Sequence, residues 1–345
     1  MDVIAVLNTI LSKGTEEMKS RVPVLTQNNL YDYGAAVMEY EPVTNEFIKS
    51  LINNVCYVSA SNRRFTNPLA KLKGAGKPFG YMVGEVHTNP AKDKGFDLED
   101  VEDLLSVDAP DVETIYHREN RKSKYKVSIT IPELQKAFTS FAEMEALITD
   151  KTNSLYSGDE IDEYTLMRLA ISNAIAVGKI PSWHFEYNGD EATSKELIKG
   201  IKIISNNMTF PSKEYNGYNI VNREEIEAGT KSGRISWTPK ENQVFLIRSD
   251  VDACTDVEVL AKAFNMDKVE FGKRKIVVDH FMDRDTLCVI ADERLFKFQD
   301  TLYRMGAFEN PSNLVTSTWL HHWQIISLSL FANAVAFKKA PVGDC

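Results

Sequence analysis

Between Asn62 and Pro132 the chain makes a polar excursion of about seventy residues, a length uncommon inside a compact domain. Two strand-like legs bound it. The outgoing leg is Phe79-Gly-Tyr-Met-Val-Gly-Glu-Val-His87, and the returning leg is Val112-Glu-Thr-Ile-Tyr116 followed by Tyr125-Lys-Val-Ser-Ile-Thr-Ile131. They enclose an acidic middle, Asp97 to Asp111. Ordering a residue costs on the order of 1–2 kcal/mol of backbone entropy, and a segment poor in large apolar side chains cannot recover that against its own domain. The expectation is an assembly arm, ordered by lying on another subunit.

The rest of the chain reads as soluble and globular. Its 345 residues suggest two or so lobes, each able to bury a core, and 43% hydrophobic with 26% charged residues is ordinary composition. A net charge of −9 argues against a direct grip on nucleic acid, which needs a field of Lys and Arg. Cys56, Cys254, Cys288 and Cys345 form no CxxC pair, so neither a zinc knuckle nor a disulfide framework is expected, and the compartment is expected to be reducing. Met1 to Lys13 carries Val3, Val6, Leu7, Ile10 and Leu11 at helical spacing without a basic start or cleavage site, which reads as an amphipathic helix and not a signal peptide. No apolar run reaches the roughly eighteen residues that a membrane span requires.

Helix signals punctuate the first half. Thr44 is expected to cap a helix through Phe47, Ile48, Leu51, Ile52 and Val55, after a loop holding Pro23 and Pro42. Thr130-Ile-Pro-Glu133 makes a capping box with proline in the first turn, which starts a helix whose stripe is Leu134, Ala137, Phe138, Phe141, Met144, Leu147 and Ile148. A second long helix, Ile161 to Ile175, is expected after a break at Ser157-Gly-Asp. Beyond Pro181 strands and helices alternate: a helix near Ser194–Ser205, strands Val244–Arg248, Lys275–Val278 and Thr286–Ile290, and helices Asp256–Asn265 and Glu293–Tyr303. Leu314 to Phe337 suits one or two long strands folding back.

Catalytic signatures are weak. Asp250, Asp252 and Asp256, with Asp279, His280, Asp283 and Asp285, are types that could hold a divalent metal, yet Asp beside strand ends and helix starts is also the ordinary turn former and cap. His321 and His322 would point to opposite faces of a strand. His184 belongs to an apolar edge, and His87 and His117 on the excursion show no partner in sequence. Lys73-Gly-Ala-Gly-Lys77 resembles a phosphate loop but lacks the four-residue gap and replaces the metal-binding hydroxyl with Pro78. No catalytic residue, metal ligand or cofactor is expected. Basic residues flank the excursion (Arg63, Arg64, Lys71, Lys73 and Lys77 going out, Arg118, Arg121, Lys122, Lys124 and Lys126 returning), whereas Asp97, Asp100 and Asp103 lie in its middle. The bland reading is a solvated surface; the functional one is charge complementarity between neighbouring copies.

Several segments carry a resemblance: Asn62-Arg-Arg-Phe-Thr-Asn-Pro-Leu69, Tyr116-His-Arg-Glu-Asn-Arg121, Tyr125 to Thr130, Leu134-Gln-Lys-Ala-Phe-Thr-Ser140, Thr209-Phe-Pro-Ser212, Asp256 to Asp267, and the ending from Asn310-Pro-Ser to Phe337. In order and spacing they resemble tailed-bacteriophage major capsid proteins of the Hong Kong ninety-seven fold, most like those of small short-tailed phages of the phi-twenty-nine type. That resemblance implies an α+β fold: an N-terminal arm and helices (1–60), an extended hairpin loop (61–128), a peripheral domain with a spine helix (129–180), an axial α/β domain (181–312) and C-terminal strands returning to the periphery (313–345). It also implies a non-enzymatic virion protein that forms pentamers and hexamers around double-stranded DNA without reading its sequence. A scaffolding protein, a portal protein and assembly in the host cytoplasm come with it, and no membrane. Two rivals are a metal-dependent hydrolase or nucleotidyl enzyme built on Asp250, Asp252, Asp256 and Asp279, and a cellular compartment shell of the same fold.

Overall fold

The computed structural model describes residues 3–58, 65–77, 82–93, 107–254, 274–310, 312–313 and 315–340. The chain divides into two compact units, one of residues 1–67, 120–164 and 300–324, the other of 68–119, 165–299 and 325–345.

In the first unit, apolar residues at helical spacing drive four helices together: α1 (Val3–Lys13), α2 (Glu16–Arg21), α3 (Leu30–Glu39) and α4 (Glu41–Val58). The five apolar residues of the α1 stripe are all buried. Tyr33, Phe47 and Phe138 pack as an aromatic trio, with ring centroids 5.6 to 6.2 Å apart. Gly34 is needed there, since a Cβ would sit 2.4 Å from Cγ of Phe138. The expected loop around Pro23 thus contains helices. Thr44 lies inside α4 and not at its start, its hydroxyl donating to the carbonyl of Val37 at 2.8 Å, while Pro42 occupies the first turn.

The capping box forms as expected at α5 (Ile131–Ala137): the Thr130 hydroxyl accepts from Glu133 N at 3.3 Å, and Glu133 accepts from Thr130 N at 2.9 Å. The helix then breaks at residues 138–140, and α6 (Phe141–Ala176) runs unbroken for 36 residues, its residues 141–164 in the first unit and 165–176 in the second. Ser140 accepts from Glu143 N at the new start. The break expected at Gly158 is absent. Glycine in a helix interior costs only about 1 kcal/mol, which packing over so long an element readily offsets. A three-stranded sheet in the order β3 (Arg121–Thr130), β9 (Val315–Leu328), β8 (Phe296–Asn310) completes the layer, with β3 and β9 antiparallel and Arg121 opposite Gln324. Glu293–Leu295 forms one 3-10 turn and β8 follows, so the helix expected at Glu293–Tyr303 is a strand instead. Phe296 and Phe298 are buried while Lys297 is half-buried, a period of two that the helical reading overlooked.

The second unit holds a five-stranded mixed sheet in the order β4 (Ser182–Phe185), β10 (Ala334–Lys339), β7 (Thr286–Asp292), β5 (Gln243–Arg248), β6 (Lys275–Val278). Every residue of the central strand β7 is buried. Helix α7 (Glu191–Asn207) covers the sheet with Leu197, Ile201 and Ile204 against Phe245, Ile247, Leu287 and Phe337. The two excursion legs form a separate antiparallel ribbon in this unit, β1 (Met82–Thr88) with β2 (Val112–Arg118), registered from Met82 opposite Arg118 to Thr88 opposite Val112. The expected helix at Asp256–Asn265 and the acidic stretch of residues 94–106 lie outside the described residues. Among the described residues no helix is long and apolar enough to cross a membrane.

Candidate assembly surfaces and buried polar clusters

Alternation along the β1–β2 ribbon separates two faces. The inner one is tied to its own unit. His117, 3% exposed, places Nε2 3.1 Å from a Glu85 oxygen and Nδ1 2.8 Å from the Ser327 hydroxyl, and Lys297 reaches Glu85 at 2.9 Å. Burial pushes the Glu85 carboxyl up, but hydrogen bonds from His117 and Lys297 and the Lys297 charge outweigh it and hold the group below its ordinary value. The ring of His87 stacks on Phe331 at 5.0 Å. At the far end Arg234 pairs with Asp111 at 2.8 Å, Tyr218 donates to Glu113 at 3.1 Å, and Asn89 donates to Gly233 O at 3.0 Å. The expectation that the excursion takes its order from a neighbour therefore fails for these base strands. Much of their polar inner face is bonded within the chain, mostly through partners more than a hundred residues away that no local pattern reveals.

The outer face is a different surface. Met82, Val86, Val112 and Tyr116 are 45%, 63%, 48% and 60% exposed along it, with Arg118 at its end. Lys71, Lys77 and Lys122 are exposed too, whereas Lys73 is half-buried and bridged to Phe298. Arg121 is no surface residue: it is 4% exposed, its guanidinium donating to Asp159 at 2.7 Å, to Tyr125 at 3.0 Å and to the Gln324 amide oxygen. Arg63, Arg64, Asp97, Asp100 and Asp103 lie outside the described residues.

That Arg121 contact opens onto a buried polar network of the first unit. His322 Nδ1 lies 2.8 Å from both Asp159 oxygens and Nε2 3.0 Å from Asp300, while Gln324 Nε2 donates to Glu163 and, at 2.6 Å, to Asp300. Both imidazole nitrogens face carboxylates, which only accept, so both donate and the ring carries a proton on each. Burial alone would lower its pKa, but the hydrogen bonds and charges of Asp159 and Asp300 win and raise it. Ligand atoms of Glu163, Asp300 and His322 lie within 4.8 Å of one another, the geometry of a possible ion site. Each is already engaged by a neighbouring donor or acceptor, so the group acts as a clamp joining α6, β8 and β9. His321 and His322 do fall on opposite faces, half-buried and buried.

The acidic group weighed for metal binding does not converge among the described residues. Asp250 pairs with Arg248 at 2.5 Å, Asp252 with Lys275 at 2.6 Å, Asp279 with Arg168 at 2.6 Å and Asp283 with Lys338 at 2.7 Å, while Asp256 lies outside. After Lys73, residues 74–77 adopt no helix, and Gly74 N donates to the Phe298 carbonyl at 2.9 Å, so no phosphate cradle forms there.

Apolar residues turned to solvent along a strand ribbon mark a surface for contact with other molecules. The profile of the Phi29-like phage major capsid protein family matches residues 7–338. The chain belongs to that family. It is 32% identical to the major capsid protein of Bacillus phage B103 over 96% of this chain and 72% of that one, and 30% identical to that of Bacillus phage PZA over 98% and 73%. Its fold is similar to a chain of the Staphylococcus phage Andhra capsid, with a TM-score of 0.65 at 13% identity, covering 81% of this chain and 86% of that one. The protein is a structural subunit of a phage capsid shell, a component of the virion, and not an enzyme.

Proposed function

We propose that copies of this chain close into pentamers and hexamers, building a shell around double-stranded DNA with a scaffolding protein and a portal protein as assembly partners in the host cytoplasm. The single observation that carries the contact scheme is the split character of the β1–β2 ribbon: a polar face bonded largely to its own unit, and an apolar face of Met82, Val86, Val112 and Tyr116 turned to solvent. Exposed apolar rows of this kind mark protein interaction sites. In this reading residues 1–60 serve as arm, 61–128 as extended loop, 129–180 as spine-bearing periphery, 181–312 as axial domain and 313–345 as returning strands, with Arg118 and Lys122 among the contact charges. Repeated heterologous contacts close rings, and many modest contacts per subunit add through multivalency. The net charge of −9 supports a wall that encloses DNA without gripping it.

Electron microscopy of the purified chain, alone and with its scaffolding partner, tests this. Closed shells with five- and six-fold capsomers are expected. Discrete monomers under every condition would overturn it.

A further inference from the structure

The tetrapeptide Glu-Tyr-Asn-Gly occurs twice in this chain, as Glu186-Tyr187-Asn188-Gly189 and as Glu214-Tyr215-Asn216-Gly217. No other asparagine precedes a glycine. Such a pair is chemically weak, because glycine has no Cβ to shield its backbone nitrogen from the side-chain carbonyl carbon one residue back. Local sequence is the same at both sites, so only the surroundings can tell them apart.

Asn216 is fully buried and its carboxamide is held at both ends. Its Oδ1 accepts from Asn219 N at 3.0 Å as the N-cap of a short helix, Gly217–Val221, while Nδ2 donates to the Arg234 carbonyl and to the Ser236 hydroxyl, each at 3.0 Å. Gly217 is wedged as well: a Cβ there would lie 2.5 Å from the Lys179 carbonyl oxygen. Turning the Asn216 Cγ towards Gly217 N would break all three bonds in a space that leaves no room for the motion.

Asn188 stands in the link between β4 and α7, exposed together with Gly189. Its backbone N–H reaches the Thr193 hydroxyl at 3.4 Å, but among the described residues neither its carboxamide nor the Gly189 N–H has a hydrogen-bond partner. Gly189 has a φ of +82° and open space where a side chain would stand. The link is anchored on either side, by Tyr187 in the apolar core and by Asp190 as the cap of α7. Nothing holds the pair between them.

We propose that Asn188 is a site of spontaneous covalent modification, in which the backbone nitrogen of Gly189 attacks Cγ of Asn188. The N–Cγ bond forms, the Cγ–Nδ2 bond breaks, and Nδ2 leaves as ammonia with the proton of the Gly189 amide. Water, the only co-reactant, then opens the cyclic imide at either carbonyl and leaves aspartate or isoaspartate. Each event adds one negative charge to a chain of −9, and the isoaspartate form lengthens the main chain by one carbon just ahead of the α7 cap. The new charge falls by the N-terminal end of α7, where the helix dipole favours it, so the subunit stays folded and carries the change as a mark of age.

Peptide mapping by mass spectrometry tests this on the full, unassembled chain, incubated in mildly alkaline buffer made with heavy-oxygen water. The Asn188 peptide should take up one heavy oxygen and become a substrate for an isoaspartate methyltransferase, at least about tenfold faster than the Asn216 peptide. In denaturant the two should convert at similar rates, because the tetrapeptides are identical. Asn188→Gln should remove the fast component and leave the slow one. Equal rates in the folded chain would overturn the proposal, as would an Asn188 peptide that stays intact in the folded chain while the denatured one converts. A contrast that persists in denaturant would overturn it too, by assigning the difference to sequence instead of structure.

Discussion

Both units bury an apolar core, and they differ in what they add to it around their sheets. In the second, β5 and β7 bury Phe245, Leu246, Ile247, Leu287, Val289 and Ile290, and helix α7 packs aliphatic residues against Phe245, Ile247, Leu287 and Ile290. In the first, α6 meets β3 and β9 through apolar residues such as Ile148, Leu155, Val127, Ile129 and Leu320, and a buried charged network of Arg121, Asp159, Glu163, Asp300, His322 and Gln324 joins α6, β3, β8 and β9 beside them. Apolar burial is non-directional and indifferent to pH, whereas a buried charged network is directional and fails when one member is lost. The central strands of one lobe are thus held by apolar burial, while the other lobe adds to its apolar core a network that depends on geometry and protonation.

Removing the centre of the network should have the largest effect. Asp159→Ala takes from the buried Arg121 its carboxylate partner and leaves His322 with Asp300 alone, so a loss of about 3–5 kcal/mol is expected, read by denaturant unfolding, with hydrogen exchange rising first in β3 and β9. If exchange rose equally in β5 and β7, the contrast between the units would be broken. Leu246→Ala, at a fully buried site, should cost about 3 kcal/mol and leave that loss unchanged between pH 6 and 9. The pH response of the first unit should separate them. Because the folded pKa of His322 is raised above its ordinary value of 6.5, the fold favours the protonated ring. Its contribution is fully present below about pH 6.5 and is lost as pH rises through the folded pKa, so thermal scans should show the first unit weakening on the alkaline side, and His322→Gln should flatten that slope. Thr130→Ala, which removes the cap of α5, should cost about 1 kcal/mol. The smallest effect on chain stability, within about 0.5 kcal/mol, is expected for Tyr116→Ala on the outer ribbon face, while assembly should suffer visibly in sedimentation.

Local signals carried a good part of this architecture. The capping box at Thr130 follows from turn chemistry, the strands at 244–248 and 286–290 from short continuous apolar runs that end up buried on both faces, and the strand at 275–278 and the excursion legs from alternation. Misreadings fell where neighbours in space outvoted neighbours in sequence. Gly158 does not stop α6, and Phe296–Asn310 forms a strand although its residues also suit a helix. The resemblance to capsid proteins was legible as the order of many segments along the chain, none of them chemical.

By itself the sequence determined that this is an α+β chain with a long polar excursion, an acidic balance and no catalytic signature, since composition and period depend only on local residue types. Only the tertiary structure decided that the excursion's base rests on its own unit, that Arg121 is interior and not a contact charge, and that Lys122, Lys124 and Lys126 stand in register with Trp323, His321 and Trp319. Those facts join residues up to about two hundred positions apart, and strand register and helix packing, which bring such partners together, are set by the whole fold.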